Sequence, residues 1–323
     1  MNEIPIVVLT APGESHLPLE DELRQSASIV LGDSAAAFKK VAADVEVILN
    51  WSASLPLIRE VFLMAPHLRW IHSRSAGLEG VLFPELIASG VTLTNGSGVF
   101  SPSLGEFALA AILYFAKDLR RMIRNQMAGS WEPFDITMAS GQTVGIVGYG
   151  DIGKAVAARV RALGMTVLGL KRNVSSQYKP DALVDQIYAS NQRLEMLPHC
   201  DYVVVAAPLN EETRGLIGEA ELAVMKKSAV LINIGRGPVV NEIALLKALS
   251  EKRIKGAALD VFDEEPLPRG HPFYRLENVL LSPHCADHTP DWLDNAMRFF
   301  LAQFERFRRG ETLLNIVDKQ LGY

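Results

Sequence analysis

The sequence contains little cysteine, no excess of basic residues and no long hydrophobic run. Its 323 residues include only Cys200 and Cys285, so no disulfide framework is predicted and a reducing, cytoplasmic location is expected. Lys and Arg number 32 against 37 Asp and Glu, a net charge of −5 that argues against a nucleic-acid partner. The N-terminus lacks the cationic start of a secretion signal, and the most apolar helical stretch, residues 107–116, is shorter than the ~20 residues of a membrane span. With 49% hydrophobic and 21% charged residues, the composition is that of an ordinary globular enzyme.

The N-terminal third alternates strand-like apolar runs with stretches of helical spacing. Residues 18–31 have apolar side chains at helical spacing and are predicted as a helix. Strands are predicted at residues 6–10, 45–51, 68–73 and 91–95. Alternating strands and helices indicate a parallel sheet that is covered on both faces.

A long helix is predicted from residue 103 to about residue 126, followed by an irregular polar arm over residues 127–140. A second series of apolar strands then begins, at residues 143–147, 166–170, 201–206, 229–234, 256–261 and 279–282. A final helix is predicted over residues 291–309, after the second sheet is complete. We therefore predict an α/β fold with two doubly wound parallel-sheet domains. We predict a Rossmann domain at residues 105–287, inserted into a flavodoxin-like domain at residues 1–104 and 288–323.

The most informative motif is G-x-G-x-x-G at Gly148, Gly150 and Gly153, directly after an apolar strand and before a helix. Gly148 allows the tight turn, Gly150 allows a pyrophosphate to approach the backbone, and Gly153 allows the helix to pack closely on the strand. The free amides of the first helical turn, at Asp151 and Ile152, would bind phosphate oxygens. The alternative is a glycine-rich turn without a ligand.

The end of the next strand predicts which dinucleotide binds. An NAD site usually has an acidic residue there, whereas this chain has Lys171 and Arg172 and no acidic residue from Lys154 to Pro180. A guanidinium binds phosphate in a bidentate manner. We therefore expect NADP, with NAD possible, and Arg172 and Lys171 on the 2′-phosphate; the alternative is two solvated loop charges.

Further motifs follow one another in a characteristic order along nearly the whole chain: Ser75-Ala76-Gly77, NGSGVFSPSLGE at 95–106, PLNEETRGLI at 208–217, INIGRG at 232–237, LDVFDEEP at 259–266 and SPH at 282–284. With the glycine motif, this ordered set resembles the D-isomer-specific 2-hydroxyacid dehydrogenases, in particular those that reduce glyoxylate and hydroxypyruvate. The resemblance implies hydride transfer from NAD(P)H to a small 2-oxo acid, giving a D-2-hydroxy acid.

Such a reduction needs a proton donor and a cation for the substrate carboxylate. Arg236 follows an apolar strand within G-R-G, and its planar fork suits a carboxylate and can polarise the adjacent carbonyl. His284 also follows a strand, and histidine exchanges protons near neutral pH. The alternatives are an arginine at a strand end and a buried structural histidine.

Several further roles come from the resemblance. Spacing alone leaves Asp263, Glu264 and Glu265 open as partners of His284, and the family pattern of a carboxylate immediately before proline selects Glu265. The resemblance also implies that the amides of Ala76 and Gly77 bind the substrate carboxylate. It implies cofactor contacts for Pro208, Thr213, Ile234 and Asp260; for Asp260 the alternative is a strand-end residue that bonds to local backbone.

Two positions depart from the family pattern and leave substrate choice and local cofactor contacts open. Asn210 stands where threonine is usual, and Cys285-Ala286-Asp287-His288 follows His284. Trp51 and Trp292 could each limit the substrate to small acids or could be core aromatics. A zinc site is not expected, because no C-x-x-C or H-E-x-x-H motif accompanies His284 and Cys285.

Two other functions remain open. A phosphite or formate dehydrogenase is possible within the superfamily, although formate enzymes have Gln at the position of Glu265. A cofactor-sensing binding protein or co-regulator could also use this fold. A homodimer is expected, with its contact at the helix 105–126 and the arm that carries Trp131.

Overall fold

The computed structural model describes residues 4–14, 16–172, 174 and 181–322. The chain forms two compact units, one from Met1–Phe100 with Thr289–Tyr323 and the other from Ser101–His288. The first boundary coincides with the start of a helix at Ser101, whereas the sequence placed it inside that helix, after residue 104. Each unit has its own parallel sheet, which confirms the predicted fold class.

The first unit is built on a five-stranded sheet in the order β2-β1-β3-β4-β5, and the four pairings between these strands are parallel. Its elements up to residue 100 are β1 (Pro5–Leu9), α1 (Glu20–Ser26), β2 (Ser28–Gly32), α2 (Ala35–Phe38), β3 (Val47–Asn50), α3 (Leu55–Met64), β4 (Trp70–Ser73), α4 (Pro84–Ala88) and β5 (Thr92–Asn95). This is the flavodoxin-like order, and ligands bind such sheets at the carboxyl ends of the strands. The side chains of Val7 and Ile48 are fully buried because helices cover both faces of a parallel sheet.

The predicted helix over residues 18–31 was wrong in its second half. Helix α1 ends at Ser26, Ala27 is extended, and Ser28–Gly32 pairs with β1 as strand β2. Leu23, Ala27 and Leu31 continue a helical spacing, but Ile29 and Val30 are β-branched and favour the strand.

The second unit is built on a seven-stranded sheet in the order β12-β11-β10-β9-β6-β7-β8. Its elements are α5 (Ser101–Ala116), α6 (Leu119–Ala128), β6 (Thr143–Val147), α7 (Asp151–Ala162), β7 (Thr166–Lys171), β8 (Gln186–Ala189), α8 (Arg193–Met196), β9 (Tyr202–Val205), α9 (Glu219–Val224), β10 (Val230–Asn233), α10 (Glu242–Ser250), β11 (Gly256–Leu259) and β12 (Val279–Leu281). The strand order reverses between β6 and β9, and this switch point is where doubly wound sheets bind dinucleotides.

Two features of this unit differ from the sequence prediction. The long helix over 103–126 is divided into α5 and α6, because Asp118 adopts a left-handed conformation (φ 49°) and its side chain accepts a hydrogen bond from the Arg121 amide. Strand β8 was not predicted, because only Tyr188 in its four residues is buried and the apolar signal is correspondingly weak.

The last helix, α11 (Trp292–Arg308), belongs to the first unit. Its Phe300 ring stacks on Trp70 of β4 at a centroid distance of 5.4 Å. His72 of β4 lies in the same aromatic layer, 5.9 Å from the Phe299 ring, with its Nδ1 2.8 Å from Thr94 Oγ1. Burial lowers the pKa of His72 to about 3, so this histidine is neutral and structural.

The buried His72 predicts a pH-dependent loss of stability. The unfolded chain protonates this imidazole near pH 6.5 and the folded chain only near pH 3, so the native state loses stability as the pH falls between these values. Between about pH 7 and about pH 4.5, we expect the free energy of unfolding of His72→Gln to fall by roughly 2–3 kcal/mol less than that of the wild type. Urea unfolding curves at both pH values test this, and an equal pH dependence for both proteins would contradict it.

Candidate active site

The glycine loop after β6 has the backbone geometry that a dinucleotide requires. Gly148 has φ 94°, and a Cβ there would lie 2.5 Å from the backbone nitrogen of Ala207 on the neighbouring strand end. A Cβ on Gly153 would lie 2.6 Å from the Gly148 carbonyl oxygen, so a side chain would push helix and strand apart. A Cβ on Gly150 would meet nothing within 4 Å. The loop is therefore closed where the backbone packs and open where a pyrophosphate would approach.

The amides of α7 begin directly after this opening. Gly150 is the N-cap residue of α7, and no side chain caps the helix there. Asp151 and Ile152, the residues predicted to bind phosphate, are the first two of the helix. The positive end of the helix dipole favours an anion at this position. These residues fit a dinucleotide pyrophosphate.

The predicted 2′-phosphate residues lie at the end of β7. Lys171 is the last residue of the strand and Arg172 follows it. Arg172 Nη2 donates to Glu212 Oε1 at 2.6 Å, and the side chain of Arg172 is about one-third exposed. The ion pair orders the guanidinium at the strand end. Sequence reasoning missed Glu212, which is 40 residues away in the chain.

The loop after β9 is closed by its own side chains. Thr213 Oγ1 donates to the carbonyl oxygen of Pro208 at 2.6 Å, so these two predicted residues come together. Asn210 Oδ1 accepts hydrogen bonds from the amides of Glu212 and Thr213 at 3.1 and 3.0 Å. Asn210, which stands where the family usually has threonine, therefore keeps this turn hydrogen-bonded. Ile234, which was also predicted to contact the cofactor, follows β10 and is buried. Its amide donates a hydrogen bond to the Val205 carbonyl oxygen at 3.0 Å.

Arg236 is held between two glycines at the carboxyl end of β10. A Cβ on Gly235 would lie 2.8 Å from the Ala207 carbonyl oxygen, and one on Gly237 would overlap the backbone of Phe262. Asn233 Nδ2 donates to the Arg236 carbonyl oxygen at 3.0 Å, and Arg236 Nη1 donates to the Gly235 carbonyl oxygen at 2.7 Å. The backbone that carries the half-buried Arg236 side chain is therefore fixed. A guanidinium held in this way suits recognition of a planar carboxylate.

His284 and Glu265 form a hydrogen-bonded pair at the ends of the next two strands. His284 Nδ1 lies 2.6 Å from Glu265 Oε2, and Glu265 Oε1 accepts from the Phe262 amide at 2.9 Å. Of the three acids considered in sequence, Glu265 is the one in contact with His284. A carboxylate that accepts from Nδ1 favours the tautomer in which Nε2 can exchange a proton.

Asp260 fixes the backbone that carries His284. This residue is 1% exposed, and its Oδ1 accepts from Ser282 Oγ at 2.6 Å and from the Cys285 and Ala286 amides at 3.0 and 3.1 Å. The His284 amide donates to the Asp260 carbonyl oxygen at 2.9 Å, and His284 adopts a positive φ of 51°. These contacts are the local backbone bonds that the sequence left open as an alternative. The contact of Asp260 with a nicotinamide carboxamide stays a prediction.

Arg236, Glu265 and His284 therefore lie at one edge of one sheet. They follow β10, β11 and β12, which are neighbouring parallel strands, and the glycine loop follows β6 at the same carboxyl edge. A cation, a histidine with its carboxylate and a dinucleotide loop are the groups needed for hydride and proton transfer at a carbonyl. No cluster of three or more His, Cys, Asp or Glu side chains suited to a metal occurs within the described residues.

The predicted substrate residues of the first unit lie around the loop after β4. Asn95 Nδ2 donates to the Ala76 carbonyl oxygen at 2.8 Å, and the Gly96 amide donates to the Ser75 carbonyl oxygen at 3.3 Å. A Cβ on Gly96 would overlap the carbonyl oxygen of Arg74. The loop carbonyls are thus fixed by the last residue of β5 and by the glycine that follows it. Trp51 is 2% exposed and lies against Arg74, a residue that sequence reasoning did not select.

Fold and site together define a nicotinamide-dependent dehydrogenase. A family model for the NAD-binding domain of D-isomer specific 2-hydroxyacid dehydrogenases matches residues 109–286. A glyoxylate reductase of Korarchaeum cryptofilum is 34% identical over 275 residues, which cover 82% of this chain and 81% of that protein. A glyoxylate reductase of Thermococcus gammatolerans is 35% identical over 272 residues, 81% of this chain and 80% of that protein.

Solved structures give the same result. A D-isomer specific 2-hydroxyacid dehydrogenase of Xanthobacter autotrophicus Py2, in complex with NADPH and MES, matches with a TM-score of 0.85, 28% identity and coverage of 98% of this chain and 99% of that one. An NADPH-dependent glyoxylate/hydroxypyruvate reductase of Sinorhizobium meliloti, in complex with NADP and sulfate, matches with a TM-score of 0.84, 26% identity and coverage of 99% and 100%. The chain belongs to the D-isomer-specific 2-hydroxyacid dehydrogenases. It is an NAD(P)H-dependent enzyme that reduces 2-oxo acids.

Proposed function

We propose that the enzyme reduces glyoxylate and hydroxypyruvate, the latter to D-glycerate, with NADPH as the preferred reductant. The observation that carries the chemistry is the 2.6 Å contact between His284 Nδ1 and Glu265 Oε2, beside Arg236 on the same sheet edge. The choice of substrates is supported by the glyoxylate reductases and the glyoxylate/hydroxypyruvate reductase to which the chain is similar.

The second unit supplies the groups for proton transfer and carboxylate binding. When bound, the nicotinamide supplies a hydride for the carbonyl carbon. His284 Nε2 donates a proton to the carbonyl oxygen, and Glu265 stabilises the imidazolium from which that proton leaves. Arg236 binds the substrate carboxylate with its planar fork and polarises the adjacent carbonyl.

The remaining predicted residues would bind and orient. The amides of Asp151 and Ile152 would hold the pyrophosphate, while Lys171 and Arg172 would hold the 2′-phosphate. Pro208, Thr213, Ile234 and Asp260 would contact the rest of the dinucleotide, as the family resemblance implies. In the first unit, the amides of Ala76 and Gly77 would bind the substrate carboxylate.

A substrate panel tests the proposal. We expect kcat/KM with NADPH to be highest for glyoxylate or hydroxypyruvate and lower for 2-oxo acids with branched or aromatic side chains. A higher kcat/KM for a bulky 2-oxo acid would contradict the assignment of substrate size. An absence of turnover with every 2-oxo acid would instead favour a binding protein on the same fold.

The preference for NADPH depends on Arg172. We expect Arg172→Ser to lower kcat/KM for NADPH by about 10- to 100-fold, because charge-assisted hydrogen bonds to the 2′-phosphate are lost, and to change kcat/KM for NADH little. Initial rates with both reductants measure this ratio. Arg161→Ser is the matched control, since Arg161 is paired with Asp185 near the opposite end of α7. An unchanged ratio in Arg172→Ser would contradict the role of Arg172.

We also propose a homodimer. Monomeric proteins rarely expose large groups of neighbouring apolar side chains. Along α6 and the following arm, the exposed apolar side chains are Met122, Ile123, Met127, Trp131, Ile136 and Met138. Trp131 alone is 96% exposed. Sedimentation equilibrium tests this, and a monomer at micromolar concentration would contradict it.

The cytoplasmic location predicted from the cysteines also remains a proposal. Cys200 is buried, Cys285 is exposed, and both are free thiols. Among the described residues, none of the helices is both long enough and apolar enough to span a bilayer. Cell fractionation tests the location.

A further inference from the structure

In the first unit, an arginine contacts the rings of two tryptophans that come from distant parts of the chain. The guanidinium carbon of Arg74 is 4.9 Å from the centroid of the Trp51 ring and 5.2 Å from that of the Trp292 ring. Trp51 follows β3, Arg74 follows β4, and Trp292 begins α11. We call this group the Trp–Arg–Trp stack.

The two ring contacts order the guanidinium of Arg74. A cation over an aromatic ring is attracted to the face of that ring, and the guanidinium N–H groups are hydrogen-bond donors. Trp51 is 2% exposed, so one side of the stack is rigid core, whereas Arg74 and Trp292 are half-buried. An arginine held in this way loses less conformational freedom when it binds an oxygen atom.

A second observation points to a ligand at the same place. The indole Nε1 of Trp51 is buried and has no hydrogen-bond partner in the part of the chain that the structure describes. Buried donors without acceptors are uncommon in native proteins. An oxygen of a bound molecule at the stack would supply the acceptor.

The stack is continuous with the loop proposed to bind the substrate carboxylate. The Arg74 amide donates to the Asn50 carbonyl oxygen at 3.0 Å, and Gly96 packs against the Arg74 carbonyl. Successive Cα atoms are about 3.8 Å apart, so the Cα atoms of Arg74 and Ala76 are within about 8 Å of each other. A three-carbon acid held by the Ala76 and Gly77 amides would therefore bind close to the backbone of Arg74.

We propose that Arg74 is a specificity-determining residue that binds an oxygen substituent on the third carbon of the 2-oxo acid. This inference rests on the proposed function, because it needs the carboxylate to lie on Ala76 and Gly77. The hydroxyl of hydroxypyruvate accepts hydrogen bonds from the stack. The methyl group of pyruvate accepts none and leaves polar groups desolvated, which sites of this kind discriminate against. Glyoxylate has no third carbon, so its binding does not depend on the stack.

The test compares three substrates in three proteins. We expect Arg74→Gln to lower the ratio of kcat/KM for hydroxypyruvate to that for glyoxylate by about 10- to 100-fold, and the hydroxypyruvate-to-pyruvate ratio by a similar factor. The matched control is Arg69→Gln, because Arg69 lies over the Phe307 ring at 4.7 Å in the same unit and should leave both ratios unchanged. Equal losses with all three substrates would show that Arg74 only shapes the loop and would overturn the proposal, as would no loss.

A binding measurement separates this inference from the proposed function. Hydroxypyruvate with NADP⁺ forms a complex that has no hydride to transfer, so its dissociation constant is measurable by calorimetry without turnover. We expect Arg74→Gln to raise the dissociation constant of hydroxypyruvate by about 10-fold or more relative to that of pyruvate. If the wild-type protein binds hydroxypyruvate no more tightly than pyruvate, the proposal for Arg74 is overturned even if turnover is seen. Binding with this selectivity but no turnover would overturn the proposed function alone.

Discussion

Replacing His284 with glutamine is expected to lower kcat for 2-oxo acid reduction by about 10³-fold and to change KM little. Glutamine keeps a polar side chain beside Glu265 but offers no proton of suitable acidity to the carbonyl oxygen. Initial-rate kinetics with saturating NADPH measure the effect. The protein should remain folded, because His284 is partly exposed and its backbone is held by Asp260.

The chain provides a matched control for this substitution. His271 Nε2 lies 3.1 Å from Glu242 Oε1, so the same unit contains a second histidine–glutamate pair outside the predicted site. We expect His271→Gln to leave kcat within about two-fold. A His284→Gln enzyme that retained more than a tenth of the wild-type kcat would show that another group donates the proton.

Replacing Arg236 is expected to have an effect of similar size on kcat/KM. Arg236→Lys keeps the charge but loses the planar fork, and we expect kcat/KM to fall about 10²-fold. Arg236→Gln also removes the charge that polarises the carbonyl, and we expect a fall of about 10³-fold or more. Kinetics with glyoxylate isolate this effect, since glyoxylate carries little besides its carboxylate and carbonyl.

Arg253→Lys controls for the loss of a guanidinium in the second unit. Arg253 is paired with Glu251 and Glu219, away from the predicted site, and a change within two-fold is expected of a surface pair. If Arg236→Lys retained full kcat/KM, a point charge would suffice and bidentate recognition of the carboxylate would be wrong.

The parts of the site that sequence could predict are those determined by local backbone. The glycine motif is one case: Gly148 and Gly153 are needed for contacts within the loop itself and with the adjacent strand end, so the pattern is short and continuous. The positions of Arg236 and His284 after strands are another, because parallel strands end at one edge of a sheet. Spacing left three acids open for His284, and choosing Glu265 needed the family resemblance.

The parts that sequence missed depend on contacts between distant segments. The sequence named Trp51 and Trp292 as candidates that limit substrate size, but it did not indicate Arg74 or the contact of all three, because they come from separate elements. The ion pair of Arg172 with Glu212 was missed for the same reason. Strand β2 and the division of α5 from α6 were missed because apolar spacing continues through Ala27 and past Asp118, where the backbone leaves the helical conformation.

One measurement tests the central claim most directly. Purified protein is mixed with NADPH and hydroxypyruvate, the loss of reduced nicotinamide is followed, and the enantiomer of the product is determined. The account predicts stoichiometric oxidation of NADPH with formation of D-glycerate. Formation of L-glycerate, or no oxidation of NADPH or NADH with any 2-oxo acid, would contradict it.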